Sequence, residues 1–138
     1  MTARTFVDTN VLVYANDPVD PRKQEIAQEQ LLARAEEIVL SAQVLSEFYT
    51  VVTRRLATPM STTDATDAVE QLSRHPVVAV DGQLVVDGIK VSVAERVSYW
   101  DGLIVATARA AGCETLLTED LRAGTAIAGV LIENPFAE

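Results

Sequence analysis

Short, mostly apolar runs alternate along the chain with longer segments of helical periodicity. The runs lack the polar alternation of a half-exposed strand, which is typical of strands that are buried on both faces of a sheet. The predicted strands comprise residues 5–7, 38–40, 77–80, 114–117 and 130–132. Helices are predicted between them at residues 11–15, 21–36, 42–56, 64–74, 83–96 and 99–111.

This alternation predicts an α/β fold of three layers, in which helices cover both faces of a central parallel sheet of four to five strands. A chain of 138 residues forms one domain, here residues 1–138, and buries about two-thirds of its unfolded surface. In such folds, functional sites lie at the carboxyl ends of the strands. Acidic residues that directly follow strands are therefore of particular interest.

The last predicted helix carries an acid in an apolar setting. Ser98 is its predicted N-cap and Asp101 lies in its first turn. Apolar side chains occupy almost every angle of the helix, and only a narrow stripe near Gly102 and Arg109 is suited to water. Asp101 shares its stripe with Val105, so its charge needs compensation. Either the helix N-terminus or a bound cation could supply it.

Three further acids lie directly after a predicted strand or in the helix that follows one. Asp8 directly follows the first strand, where it could equally serve as a turn or cap residue. Glu47 lies at the flank of the apolar face of the helix after the second strand. Asp120 follows the fourth strand, and its neighbour Glu119 competes with it for any role. If these acids converge, they cannot all stay ionised without a cation, and an all-oxygen donor set favours Mg²⁺ or Mn²⁺ over zinc.

Composition narrows the function classes. The net charge of −9 argues against a protein that coats nucleic acid, but it is compatible with a metal-using nuclease or with a basic protein partner. No apolar run approaches the length of a membrane span, and the N-terminus lacks a signal-peptide core. Cys113 is the only cysteine, which excludes an internal disulfide and fits a cytoplasmic protein.

The remaining residues limit the chemistry. The only histidine, His75, precedes Pro76 and is predicted to lie in a turn, so chemistry based on two histidines is excluded. No glycine-rich phosphate loop is present. Metal-assisted hydrolysis is the reaction class that remains. Arg54 and Arg55 could contact a phosphate or could simply complement the C-terminus of their helix.

Two other functions stay open at this point. Asp8 could act as the covalent nucleophile of a phosphatase, although such enzymes carry a second aspartate two residues later, where this chain has Asn10. Alternatively, the domain could bind a protein partner without any catalysis.

Four motifs occur in a fixed order, and together they resemble the PIN-domain family and, within it, the VapC-type toxin ribonucleases. The motifs are Phe6-Val7-Asp8-Thr9-Asn10-Val11-Leu12, Ser41-Ala42-Gln43-Val44-Leu45-Ser46-Glu47-Phe48, Trp100-Asp101-Gly102-Leu103-Ile104-Val105-Ala106-Thr107-Ala108 and Leu117-Thr118-Glu119-Asp120-Leu121. The resemblance implies a PIN fold and an endoribonuclease that uses Mg²⁺ or Mn²⁺. It also implies the toxin of a type II toxin–antitoxin pair, which binds an antitoxin with a basic tail and forms a homodimer.

The same resemblance assigns roles to individual residues. The expected catalytic metal ligands are Asp8, Glu47, Asp101 and, at the more variable fourth position, Asp120. The residues expected to support these acids or a water molecule are Thr9, Asn10 and Thr118. The chain departs from the family pattern at Leu121, where many members continue with Asp-Phe or His-Phe. The match to the family is therefore weakest at the neighbouring Asp120. Arg54 and Arg55 are the candidate RNA contacts.

Overall fold

The computed structural model describes residues 3–137, so residues 1, 2 and 138 of the predicted domain lie outside the described part. Strands and helices alternate through most of the chain, as the sequence pattern predicts. The strands are β1 (Thr5–Val7), β2 (Ile38–Ser41), β3 (Val77–Val78), β4 (Thr115–Leu117), β5 (Ala126–Ile127) and β6 (Val130–Glu133). The helices are α1 (Thr9–Asn16), α2 (Pro21–Ala33), α3 (Ala42–Arg54), α4 (Thr62–Leu72), α5 (Gly82–Glu95) and α6 (Tyr99–Ala110).

The strands form one sheet in the order β3-β2-β1-β4-β6-β5. All neighbouring pairs are parallel except β5 and β6. The central strand β1 pairs with β2 on one side and β4 on the other, so that Thr5 is in register with both Ile38 and Thr115. Its residues are at most 1% exposed, as the unbroken apolar run predicts.

The sheet has six strands where the sequence predicted four to five. The additional strand is β5, which has only two residues and pairs antiparallel with β6. It is joined to β6 by a tight turn in which Ala128 and Gly129 both have positive φ, at 50° and 85°. A strand of two residues carries no periodicity, and an alanine at a left-handed position is not a usual turn signal.

Helices α5 and α6 pack closely against each other through two glycines. A Cβ atom at Gly102 would lie 2.5 Å from the carbonyl oxygen of Gly88, and one at Gly88 would lie 3.0 Å from the Cα atom of Leu103. The expectation that Gly102 faces water is therefore wrong, because the residue is buried in this seam. Hydropathy alone cannot distinguish a glycine in water from one that admits a neighbouring backbone.

The buried core lies between the sheet and its helices and is mainly aliphatic. Cys113 belongs to it at 5% exposure, and burial raises the pKa of its thiol to about 11. Among residues 3–137, no helix is both long enough and apolar enough to cross a membrane.

Candidate active site

Asp8 lies at the carboxyl end of the central strand and has two structural roles. It is the N-cap of α1, where its Oδ1 accepts a hydrogen bond from the backbone N–H of Thr9 at 2.7 Å. Its Oδ2 accepts from the Thr118 hydroxyl at 2.8 Å. Both carboxylate oxygens are thus fixed in direction, and the residue is only 5% exposed.

Burial makes ionisation of Asp8 unfavourable. It raises the pKa of this carboxyl from 3.8 to about 6, although the hydrogen bonds from Thr118 and Thr9 oppose the increase. The negative charges of Asp120 and Glu47 raise the pKa further. Asp8 therefore shares its surroundings with two other acids.

Glu47 reaches the site from α3 and is held by two donors. Its Oε2 accepts a hydrogen bond from the Thr9 hydroxyl at 2.9 Å, and its Oε1 accepts from the Gln43 side-chain nitrogen at 2.8 Å. Because Thr9 follows Asp8 directly, one residue connects both carboxylates. The side chain is half-buried, which agrees with its predicted place at the flank of the apolar face.

Asn10 links the first motif to the last. Its Nδ2 donates to the Asp120 Oδ2 at 3.1 Å and to the Thr118 hydroxyl oxygen at 3.2 Å. Thr118 also accepts from the backbone N–H of Asp120 at 3.1 Å. The Oδ1 atom of Asn10 is buried and finds no hydrogen-bond partner among residues 3–137. Thr9, Asn10 and Thr118 therefore each form a hydrogen bond with at least one of the acids.

Glu119 and Asp120 differ sharply in their surroundings. The Glu119 carboxylate forms a salt bridge with Lys23 at 2.8 Å and accepts a hydrogen bond from the Tyr14 hydroxyl. Its charge is compensated by a neighbouring cation. Asp120 instead faces Asn10, on the side of Asp8. The geometry thus places Asp120, and not Glu119, with the other acids.

Asp101 lies in the first turn of α6 and is partly buried. The predicted N-cap is present, since the Ser98 hydroxyl oxygen accepts from the backbone N–H of Asp101 at 3.1 Å. Burial raises the pKa of the Asp101 carboxyl, a hydrogen bond between the Ser98 side chain and this carboxyl opposes the increase, and the charges of Asp120 and Glu47 raise the pKa again. The same two acids therefore act on Asp8 and on Asp101.

These four acids have no cationic partner in the part of the chain that the structure describes. Its two salt bridges join Lys23 to Glu119 and Arg34 to Glu133. As they stand, no three His, Cys, Asp or Glu side chains of residues 3–137 are arranged to hold a metal ion. The donor chemistry nevertheless fits a hard divalent cation, because Asp8, Glu47, Asp101 and Asp120 offer only oxygens and their mutual repulsion favours a positive charge.

A groove of about 710 Å³ adjoins Glu47. It is lined by one face of α3, by the residue that follows it and by the start of α6, namely Gln43, Ser46, Glu47, Thr50, Val51, Arg55 and Trp100. Of the two arginines considered from the sequence, Arg55 lines this groove and Arg54 does not. Trp100 was not singled out from the sequence, although a tryptophan directly before an acid at a helix start is a visible signal.

Comparison with known proteins identifies the family. The profile of the PIN domain family matches residues 5–126. No curated protein sequence matches the chain. The chain belongs to the PIN domain family, which confirms the resemblance seen in its motifs.

Solved structures share the fold over nearly the whole chain. One chain of a toxin–antitoxin complex from Klebsiella pneumoniae has a TM-score of 0.72 and 17% identity, with 98% of each chain covered. One chain of the DNA-bound VapBC complex from Salmonella typhimurium has a TM-score of 0.69 and 22% identity, covering 97% of this chain and 99% of that one. The VapC20 toxin of Mycobacterium tuberculosis, described as cleaving the sarcin–ricin loop, has a TM-score of 0.66 and 20% identity over 81% of this chain and 86% of its own.

Proposed function

We propose that this protein is an endoribonuclease that hydrolyses RNA phosphodiesters with Mg²⁺ or Mn²⁺, and that it is the toxin of a type II toxin–antitoxin pair. One observation carries the proposal. Four acids from four separate segments gather at one edge of the sheet, and neither salt bridge of the described residues compensates them. Similarity to the VapC20 toxin, which is described as cleaving the sarcin–ricin loop, supports the choice of RNA as substrate.

Different residues of the chain would bind the cation and position its ligands. Asp8, Glu47, Asp101 and Asp120 would hold the cation, which when bound would lower the pKa of a water molecule and neutralise charge on the phosphate. Thr9 and Thr118 fix the directions of the Asp8 and Glu47 carboxylates by hydrogen bonds. Asn10 holds Asp120 towards the same place. Such restraint supplies the preorganisation that a metal-dependent hydrolase requires.

The same acids would also attract a positively charged segment of a protein partner. An antitoxin whose basic tail enters the acidic edge would gain from the net charge of −9 and would keep the site from RNA. The similarity to chains of toxin–antitoxin complexes favours such a partner. We also expect a homodimer, for which α5 offers exposed apolar side chains such as Val86 and Val93.

Substitution of Asp101 by Asn tests the proposal most directly. Asp101→Asn keeps the Ser98 cap, which uses the backbone N–H, and should lower the rate of RNA cleavage by roughly 10³-fold, since charge stabilisation of several kcal/mol is lost. The readout is cleavage of total RNA in Mn²⁺, with Asp67→Asn on the exposed face of α4 as matched control. Wild type and control should cut RNA, and EDTA should abolish the cutting.

Two results would contradict the proposal. RNA cleavage that persists in EDTA would exclude a metal-dependent site. Failure of calorimetry to detect Mn²⁺ or Mg²⁺ binding at millimolar concentration, together with no cleavage, would favour a protein-binding module. The phosphatase alternative has less support, because both oxygens of Asp8 are engaged and Asn10 cannot act as an acid or base.

A further inference from the structure

We propose that the groove beside Glu47 binds one unpaired base and a neighbouring phosphate of single-stranded RNA. In this arrangement the base stacks on Trp100 and Arg55 binds the phosphate. The inference rests on the proposed function and extends it by naming how the substrate is held outside the acids. Both residues line the same groove as Glu47, so a strand lying in it would continue to the acidic site.

Trp100 is far more exposed to solvent than the residues that follow Asp101 on α6. The stretch that follows Asp101, from Gly102 to Ala108, is buried throughout, whereas Trp100 is 62% exposed. Its ring contacts Tyr99 edge to face, with centroids 5.0 Å apart at 65°, which restrains the indole and leaves its surface available. Proteins that bind single-stranded RNA stack unpaired bases on exposed aromatic faces that lie beside positively charged side chains.

Arg55 supplies a positive charge where the chain has few. It follows the last residue of α3 and is exposed, and neither salt bridge of residues 3–137 includes it. Glu47 and Arg55 are eight positions apart, which corresponds to about 12 Å along a helix. Arg55 is therefore suited to bind a phosphate other than the one at the acids.

The character of the groove favours RNA over the tail of a protein. Thr50 and Val51 are the groove-lining residues between Glu47 and Arg55 in the sequence, so a basic peptide drawn to Glu47 would meet repulsion at Arg55. A nucleic acid strand offers the opposite charge to Arg55 and an aromatic surface to Trp100. The volume of about 710 Å³ lies within the roughly 300–1,000 Å³ of ordinary ligand pockets.

Fluorescence tests the inference without any need for catalysis. Trp100 is the only tryptophan of the chain, so the intrinsic emission reports this side chain alone. The full chain, kept in EDTA to prevent metal-dependent cleavage, is titrated with a single-stranded oligoribonucleotide and, separately, with the duplex form and with a basic peptide. We expect saturable quenching by the single strand and much less by the duplex, whose bases are already stacked.

Variants separate stacking from charge. Trp100→Ala should weaken binding of the single strand, measured by anisotropy of a labelled oligonucleotide, by about 5- to 150-fold. Trp100→Phe should retain most of the affinity, since it keeps a stacking surface. Arg55→Gln should weaken binding and reduce its salt dependence. Tyr49→Ala and Arg109→Gln are the matched controls, because these residues lie outside the groove lining and should leave affinity unchanged.

The outcomes distinguish this inference from the proposed function. If RNA is cut in Mn²⁺ but Trp100 is not quenched and Trp100→Ala binds normally, the inference is wrong and the proposed function stands. If quenching occurs but no cleavage is found, the base site stands and the ribonuclease proposal fails. Quenching by the basic peptide and not by RNA would overturn the inference in favour of a protein-docking groove.

Discussion

The acidic edge of the sheet and the seam between α5 and α6 meet at neighbouring residues of one helix, and they are built on opposite principles. Asp101 contributes a partly buried carboxylate whose ionisation is opposed by burial and by other acids. Gly102, the next residue, lets two helix backbones approach so closely that no side chain fits between them. The seam stabilises the fold by packing, whereas the edge concentrates charge that packing alone would not favour.

This difference shows how to recognise which acids serve the fold. Glu119 and Asp120 are adjacent in sequence, yet the first is paired with Lys23 and the second is placed with other acids. An acid with its own cation and hydrogen bonds is already satisfied. Acids that lie close together without a neighbouring cation destabilise the metal-free protein through their mutual repulsion. A bound cation can offset this repulsion.

The largest stability effect is expected at Asp8 in metal-free protein. The pKa of about 6 in the folded state lies above the ordinary 3.8, so between these pH values the folded chain holds a proton that the unfolded chain has released. The contribution of Asp8 therefore destabilises the fold progressively as pH rises from about 4 to about 6 and remains unfavourable above that range. At pH 7 it amounts to up to roughly 3 kcal/mol.

Asp8→Asn should remove this dependence, since an amide does not titrate and can still accept from the backbone N–H of Thr9. Urea unfolding in EDTA at pH 4.5 and pH 7 would measure the difference in stability, and the variant should gain more relative to wild type at pH 7 than at pH 4.5. Added Mn²⁺ should raise the stability of wild type at pH 7 and leave the variant nearly unchanged. Parallel pH profiles of the two proteins would contradict the prediction.

The seam should respond to a single methyl group. Gly102→Ala places a Cβ atom 2.5 Å from the carbonyl oxygen of Gly88, and backbone cannot move aside as a flexible side chain can. We expect a loss of about 1–3 kcal/mol in the free energy of unfolding, despite the better helix propensity of alanine. Gly82→Ala is the control, because nothing lies within 4 Å of its added Cβ.

Thermal denaturation at fixed pH measures both glycine variants. The midpoint should fall by several degrees for Gly102→Ala and should stay or rise slightly for Gly82→Ala. Equal denaturation midpoints for the two variants would mean that α5 and α6 can move apart to accommodate the methyl group, and would contradict the prediction. The contrast with the acidic edge predicts that, unlike Asp8→Asn, Gly102→Ala changes stability equally at pH 4.5 and pH 7.

The smallest effect on stability is expected at Glu119, whose charge is compensated by Lys23. Lys23→Gln removes the cation from Glu119, whose side chain is 22% exposed, and should cost at most about 1 kcal/mol, as is usual for partly exposed ion pairs. A double-mutant cycle with Glu119→Gln, followed by urea unfolding, should give a coupling of similar size. RNA cleavage should change far less than in Asp101→Asn; an equal loss would assign Glu119 to the active acids.

The sequence by itself determined the class of fold and supplied the acids of the candidate site. Uninterrupted apolar runs specify strands buried on both faces, and the carboxyl ends of parallel strands lie at one edge, so the order of the elements predicts that Asp8, Glu47, Asp101 and one acid after the fourth predicted strand lie near that edge. The Ser98 cap was equally visible, because capping depends on residues three positions apart.

Only the tertiary structure decided features that depend on distant partners. The pairing of Glu119 with Lys23 joins residues 96 positions apart, and no local pattern distinguishes Glu119 from Asp120. The burial of Gly102 depends on Gly88 of another helix, and the strand β5 exists only through its pairing with β6. Likewise, the groove that Arg55 lines and Arg54 does not is formed by residues of α3 together with Trp100 of α6. Periodicity reports which face of an element is apolar, whereas charge compensation and close backbone contact are properties of two elements together.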